Sequence, residues 1–324
     1  MKRAWIAFWA TAAVTVPARV WAMFRFADPS SGFYTDGGRA AGALSLFLAL
    51  GVAAAIFLSF RGPAPALTPG APMRSVPAAV SAALAGVALA AQSVASLAVP
   101  SAGEDVPERI FAAFGILAAA AFLAAAYGFA AGAETLRRAP LLALLPSVWG
   151  CFCLVMLFIR YAATVNRLEN LYHTCTVVLL LLFLFSQAKL LTGIHGEKSG
   201  RQVFGYGFAA AAMVLATAVP NLALYFSGRE MPGAFPVGLH LLNLFLAAYI
   251  LCFLAAAGKE TNVLTPAEAD APAPGPREEA PREEKTEQDV LKECADFLNG
   301  RCGWSEKFVK IGETAPNPAK NEKS

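Results

Sequence analysis

Eight runs of roughly 20 or more mostly apolar residues, divided by short connectors rich in Pro, Gly, Asp and Ser, dominate this chain. About 20 apolar residues in a helix, rising 1.5 Å each, cross the hydrocarbon core of a bilayer. The runs lie near 4–24, 40–60, 77–99, 110–132, 141–165, 170–192, 203–226 and 237–257. Lipid offers no hydrogen bonds to an open backbone, so such runs must satisfy their own, and the helix does so locally. A transmembrane barrel would instead show segments of about ten residues alternating apolar and polar. Val177–Phe185 is apolar on every side. The pattern predicts an all-α integral membrane protein, a bundle of about eight transmembrane helices.

Composition agrees. Hydrophobic residues make up 57% of the 324 and charged residues 15%, against roughly 25% charged in soluble domains. Disorder over most of the chain is excluded, because it needs few apolar residues and many charges. With 26 Gly and 6 Cys, the chain is neither collagen-like nor a disulfide scaffold. The overall look is that of a bacterial plasma-membrane (inner-membrane), multi-pass protein.

Charge is unevenly spread. Residues 1–257 carry 16 Lys and Arg against 9 Asp and Glu, a net of +7. Residues 258–324 carry 10 against 14, a net of −4. The basic residues of the body stand singly between apolar runs, which is not the stripe a nucleic acid requires. The lipid bilayer is the partner that the body implies.

Lys and Arg near helix ends favour the cytoplasmic side. A cytoplasmic N-terminus places ten inside, including Lys2, Arg3, Arg61, Arg74 and Lys259, and six outside, including Arg25, Arg109 and Arg229. Both termini are therefore expected in the cytoplasm. Lys2 and Arg3 before an apolar run, with Val20-Trp21-Ala22 beyond, also outline a signal peptide. Arg19 and bulky Trp21 beside that site argue for a retained first span.

Three regions follow: the bundle over 1–257, a Pro/Ala/Glu linker over 258–284, and an acidic cytoplasmic tail over 285–324. The linker is too poor in apolar residues to build a core. In the tail, Thr286 resembles an N-cap with Asp289 at the third helical position. Val290, Leu291, Cys294, Phe297 and Leu298 then share one face of a short amphipathic helix. Some 40 residues cannot readily form an independent core, so this helix is expected to dock. Its neighbours Glu287, Asp289, Glu293 and Asp296 disfavour an anionic lipid surface, leaving a cytoplasmic protein or the body itself.

Ionisable and polar groups within membrane spans are costly and point to function. Arg19 and Arg25 lie towards the outer end of the first span, and Arg160 in the fifth. Asn166, Arg167 and Glu169 mark the turn into the sixth, with His173 just beyond. Asn221 follows Pro220 in the seventh, and His240 and Asn243 share a face of the eighth. All fall on one side of the membrane. Convergence would build a polar outer pocket with spare positive charge, suited to a carboxylate or phosphate. The alternative is internal pairing with Asp28, Asp36 or Glu169, or snorkelling of Arg to the interface.

Pro17, Pro146 and Pro220 each remove a helical hydrogen bond. The Ala-rich segments 118–126 and 209–212 permit close helix packing. Ser186 to Lys189 ends the sixth span on the cytoplasmic side, followed by His195, Glu197, Lys198 and Arg201, and a solvated cytoplasmic setting accounts for all of them. His-Glu-x-x-His, Gly-x-Ser-x-Gly and Walker A motifs are absent. Paired aspartates within spans are absent too. The Cys residues are spaced neither for zinc nor for redox exchange. No catalytic residue, metal site or cofactor is predicted. The reading that results is a non-enzymatic sensor, scaffold or accessory subunit with a docking tail; the alternative is a transporter or permease component for a small anionic solute.

Overall fold

A computed structural model describes residues 2–28, 31, 33–61, 73–98, 106–161, 168–193, 196–229 and 236–260, the side chains of 160, 161, 196–198 and 260 excepted. The tail residues Val290, Leu291, Cys294, Phe297 and Leu298 lie outside the described residues, as do Asn166 and Arg167.

Nine helices are present among the described residues: α1 (Lys2–Phe26), α2 (Arg39–Arg61), α3 (Val76–Ala98), α4 (Val106–Ala131), α5 (Thr135–Arg138), α6 (Pro140–Tyr161), α7 (Leu168–Thr192), α8 (Gly196–Phe226) and α9 (Val237–Glu260). All but the one-turn α5 are long and apolar enough to cross a membrane. The chain is a polytopic, all-helical membrane protein. Extended structure among these residues is limited to one antiparallel bridge, Ala27 to Tyr34.

That bridge closes the α1–α2 turn. The Asp28 amide donates to the Phe33 carbonyl at 2.9 Å and the Thr35 amide to Phe26 at 2.8 Å. Gly37 and Gly38 adopt φ of +70° and +79°, a left-handed conformation that a side chain would strain. They bring the Asp36 carboxylate beneath the start of α2, where it accepts from the Gly38 and Ala40 amides at 2.9 and 2.8 Å. Those contacts satisfy otherwise orphaned helix N–H groups.

The long helices α3, α4, α6, α7, α8 and α9 pack in that order, and α9 returns to α3, closing a ring. The α1–α2 hairpin packs on α8. Of the most apolar stretch of α8, 78% is buried, against 17% for α2, so α8 is the central helix and α2 the peripheral one. Small residues permit this. Ala209, Ala210 and Ala211 are fully buried where α8 meets its neighbours.

One end of the ring's interior holds a layer of aromatic side chains. Phe122 meets Tyr249 edge-on at 5.4 Å, and Phe129 and Phe183 pack on Phe253 at 5.9 and 6.1 Å. Gln187 donates to the Tyr249 hydroxyl within this layer. The span expected over 170–192 is matched by α7, but the solvated setting expected for Ser186 and Gln187 at its cytoplasmic end is corrected. The helix α7 continues to Thr192, and Ser186 and Gln187 are buried against the ring's interior.

Candidate functional site

The predicted polar residues separate into two neighbouring sites at the end of the bundle that holds the α1–α2 turn. The first is an ion pair. Buried positions recur along α1 at Ala4, Phe8, Ala12, Thr15, Arg19 and Met23, spaced three or four apart, which is one helix face. Arg19 therefore points into the bundle and is only 3% exposed. Its guanidinium donates to Glu169 Oε1, in the first turn of α7, at 2.6 Å. It also lies 3.5 Å above the centre of the Tyr172 ring.

Two hydroxyls extend the pair. Tyr34 donates to the same Glu169 oxygen at 3.3 Å, and the Tyr172 hydroxyl shares a hydrogen bond with Ser45 at 2.8 Å. The cluster ties α1, the α1–α2 turn, α2 and α7 together. Burial, reinforced by the Glu169 charge, raises the Tyr34 phenol above its ordinary value, so it stays a donor at neutral pH. A cation and a carboxylate that would each be costly alone in an apolar bundle here neutralise each other.

The second site is a cavity of about 150 Å³ enclosed by α3, α4, α6, α7 and α9. Each helix contributes residues one turn apart on a single face: Gln92 and Ser96, Glu108 and Phe111, Trp149 and Cys153, His173 and Val177, Leu239 and Asn243. The rings of His173 and His240 face each other across the interior, their centroids 5.4 Å apart. Phe111 and Trp149 stack at 6.3 Å. Gly238 permits the close approach of Gln92, because a Cβ at 238 would collide with the Gln92 amide oxygen. Leu180 and Leu242 line the cavity on the side of the aromatic layer that contains Phe122 and Tyr249.

A cavity of this size is known to hold benzene when its walls are apolar. This one adds two imidazoles, two amides, a hydroxyl and a carboxylate to an otherwise apolar wall. Trp149 is 3% exposed, and its indole Nε1 has no acceptor among the described residues. The chemistry on offer is recognition of a small amphipathic molecule. Among the described residues, no group of three or more His, Cys, Asp and Glu side chains is arranged to hold a metal ion.

The predicted residues distribute as follows. His240 and Asn243 line the cavity; Arg19 and Glu169 form the neighbouring pair and do not line it. Asn221 donates to the Thr217 carbonyl of its own helix at 2.8 Å, and Arg25 is exposed. The side chain of Arg160 lies outside the described residues. The sequence reading did not single out Tyr34, Tyr172, Gln92, Glu108 or Trp149 as site residues. Glu108 and Gln92 carried a usable signal, being polar residues in or beside an apolar run. The aromatic residues carried none, because aromatics are common throughout the spans. Searches of protein-family models, curated proteins and solved structures returned no match for this chain.

Proposed function

We propose that this protein is a non-enzymatic membrane sensor or accessory subunit whose bundle binds a small amphipathic ligand and whose tail, over 285–324, docks a cytoplasmic protein. The observation that carries the reading is the cavity, in which His173, His240, Gln92 and Asn243 meet amid apolar walls. The layer of Phe122, Tyr249 and Phe253 beside it favours a receptor over a conduit. The distribution of Lys and Arg supports placing both termini in the cytoplasm, in a plasma or bacterial inner membrane. An anionic solute draws less support among the described residues, because Arg19 is engaged by Glu169 and does not line the cavity.

Ligand binding to the folded state raises thermal stability in proportion to RT ln(1 + [L]/Kd). A panel of small aromatic and aliphatic compounds, screened by thermal unfolding in detergent, is expected to contain members that stabilise the wild type but not Ser96→Phe, which fills the cavity at its polar rim. If every compound acts equally on both proteins, the cavity is not a binding site. Pull-downs with and without residues 285–324 check the second half of the reading. Loss of specific partners on truncation is expected, and an unchanged set of partners removes the docking role.

A further inference from the structure

The hydrogen-bonding groups left open in the cavity specify its occupant more closely. Gln92 on α3 and Asn243 on α9 both line it, and these two helices pack together. Among the described residues neither side-chain amide has a hydrogen-bond partner, and both side chains are half-buried. The other polar groups of the wall are already engaged. The Ser96 hydroxyl donates to the backbone carbonyl of Gln92 at 3.0 Å, and Glu108, His173 and His240 each have a partner. Gly238 sets the place of one amide, because a Cβ there would collide with the Gln92 amide oxygen. An amide in an apolar wall is costly to leave unpaired.

Each of these side chains offers an acceptor oxygen and two N–H donors in one plane. A ligand that pairs with both must carry an acceptor and a donor on one small planar group, and a carboxamide does so. Phe111 and Trp149, stacked at 6.3 Å, and Leu180 give the remaining wall a flat, apolar character that suits a ring. The volume of about 150 Å³ accommodates a single ring. Resting on the binding reading above, we infer that the cavity takes a small aromatic carboxamide. Its carbonyl oxygen accepts from the amide nitrogen of one of Gln92 and Asn243, and its N–H donates to the amide oxygen of the other. Its ring lies among Phe111, Trp149 and Leu180, where it leaves water. Pairing with the ligand replaces the hydrogen bonds that both wall amides lack in the empty bundle.

The test compares benzamide with acetophenone, which has the same shape but carries CH3 in place of NH2, and so offers the acceptor without the donors. Each is titrated calorimetrically into the full-length protein in detergent, against a detergent blank. Benzamide is expected to bind roughly tenfold more tightly, the effect of one or two net hydrogen bonds. Gln92→Met and Asn243→Leu keep the size of each side chain and remove its amide. Each alone is expected to reduce the advantage of benzamide about threefold, and the two together to abolish it. A thermal unfolding transition in detergent shows that each variant is folded, and the wild-type comparison with the single variants decides the matter if the double variant is not. Equal or tighter binding of acetophenone to the wild type overturns the inference but leaves the cavity a ligand site. So does an advantage of benzamide that survives the double variant. Binding of neither compound also overturns it, and together with an inactive compound panel removes the binding reading as well.

Discussion

Replacing Glu169 by Gln destabilises the bundle by about 3–5 kcal/mol, the usual effect of breaking a buried ion pair by removing one partner. The Gln amide oxygen can still accept from Arg19 and Tyr34, so hydrogen bonding and shape are largely kept. The counter-charge is what disappears. Arg19 is 3% exposed on the inward face of α1 and cannot reach the interface without unwinding or rotating the helix. Its guanidinium then remains buried without a carboxylate, left with neutral partners such as the Tyr172 ring 3.5 Å away. Thermal unfolding in detergent is expected to shift down on the order of 10 °C. The double variant Arg19→Met, Glu169→Leu removes both charges and should recover most of the loss, because apolar residues of similar size often replace a buried pair without penalty. A single variant that unfolds at the wild-type temperature would show that the pair contributes nothing.

Gly207→Val has the second large effect, and it tests the centre of the ring. A Cβ at 207 would stand 2.9 Å from Leu254 Cδ1 and 3.1 Å from Phe183 Cδ2, both fully buried. Neither neighbour has space to retreat, so valine's branches must push α8 away from α7 and α9. Overpacking of this kind costs about 1–3 kcal/mol, and more where backbones must separate. In a membrane the separated helices lose van der Waals contact without any opposing hydrophobic gain, since lipid is as apolar as the interface. Gly42→Val is the matched control. Nothing lies within 4 Å of a Cβ there, and the position is exposed, so stability should be unchanged within about 0.5 kcal/mol. Similar unfolding temperatures for the two variants would contradict the packing of α8.

The number of membrane-spanning helices was legible because the physical rule behind them is local, whereas the one-turn α5 was not foreseen. A span is recognised by length and apolarity alone, and Asp28, Asp36, Gly37 and Pro63 mark the breaks between spans. Which face of each span points inward was not legible. A soluble helix shows its buried stripe against a polar background. On α1, buried Phe8 and Ala12 alternate with lipid-facing Ile6, Trp9 and Val14, all apolar, so the stripe has no contrast. The position of Arg19 on that stripe became visible only with the fold.

The candidate site divides along the same line. His173 and His240 are 67 residues apart in the chain, yet their rings lie 5.4 Å apart across the ring of helices. Glu169 had been named both as a pocket residue and as a neutralising partner for Arg; its 2.6 Å contact with Arg19 decides its place. Gln187 reads in sequence as the solvated end of a span but is buried against Tyr249, because the face of α7 that carries it turns towards α9.

By itself, then, the sequence determined the membrane class, the helical spans and the presence of a few costly polar residues towards one side, because each of these is a property of a segment of about 20 residues. Tertiary structure decided which of those residues neutralise one another and which line a cavity. That choice depends on which helix faces meet, and helices whose inner and outer faces are equally apolar do not announce it.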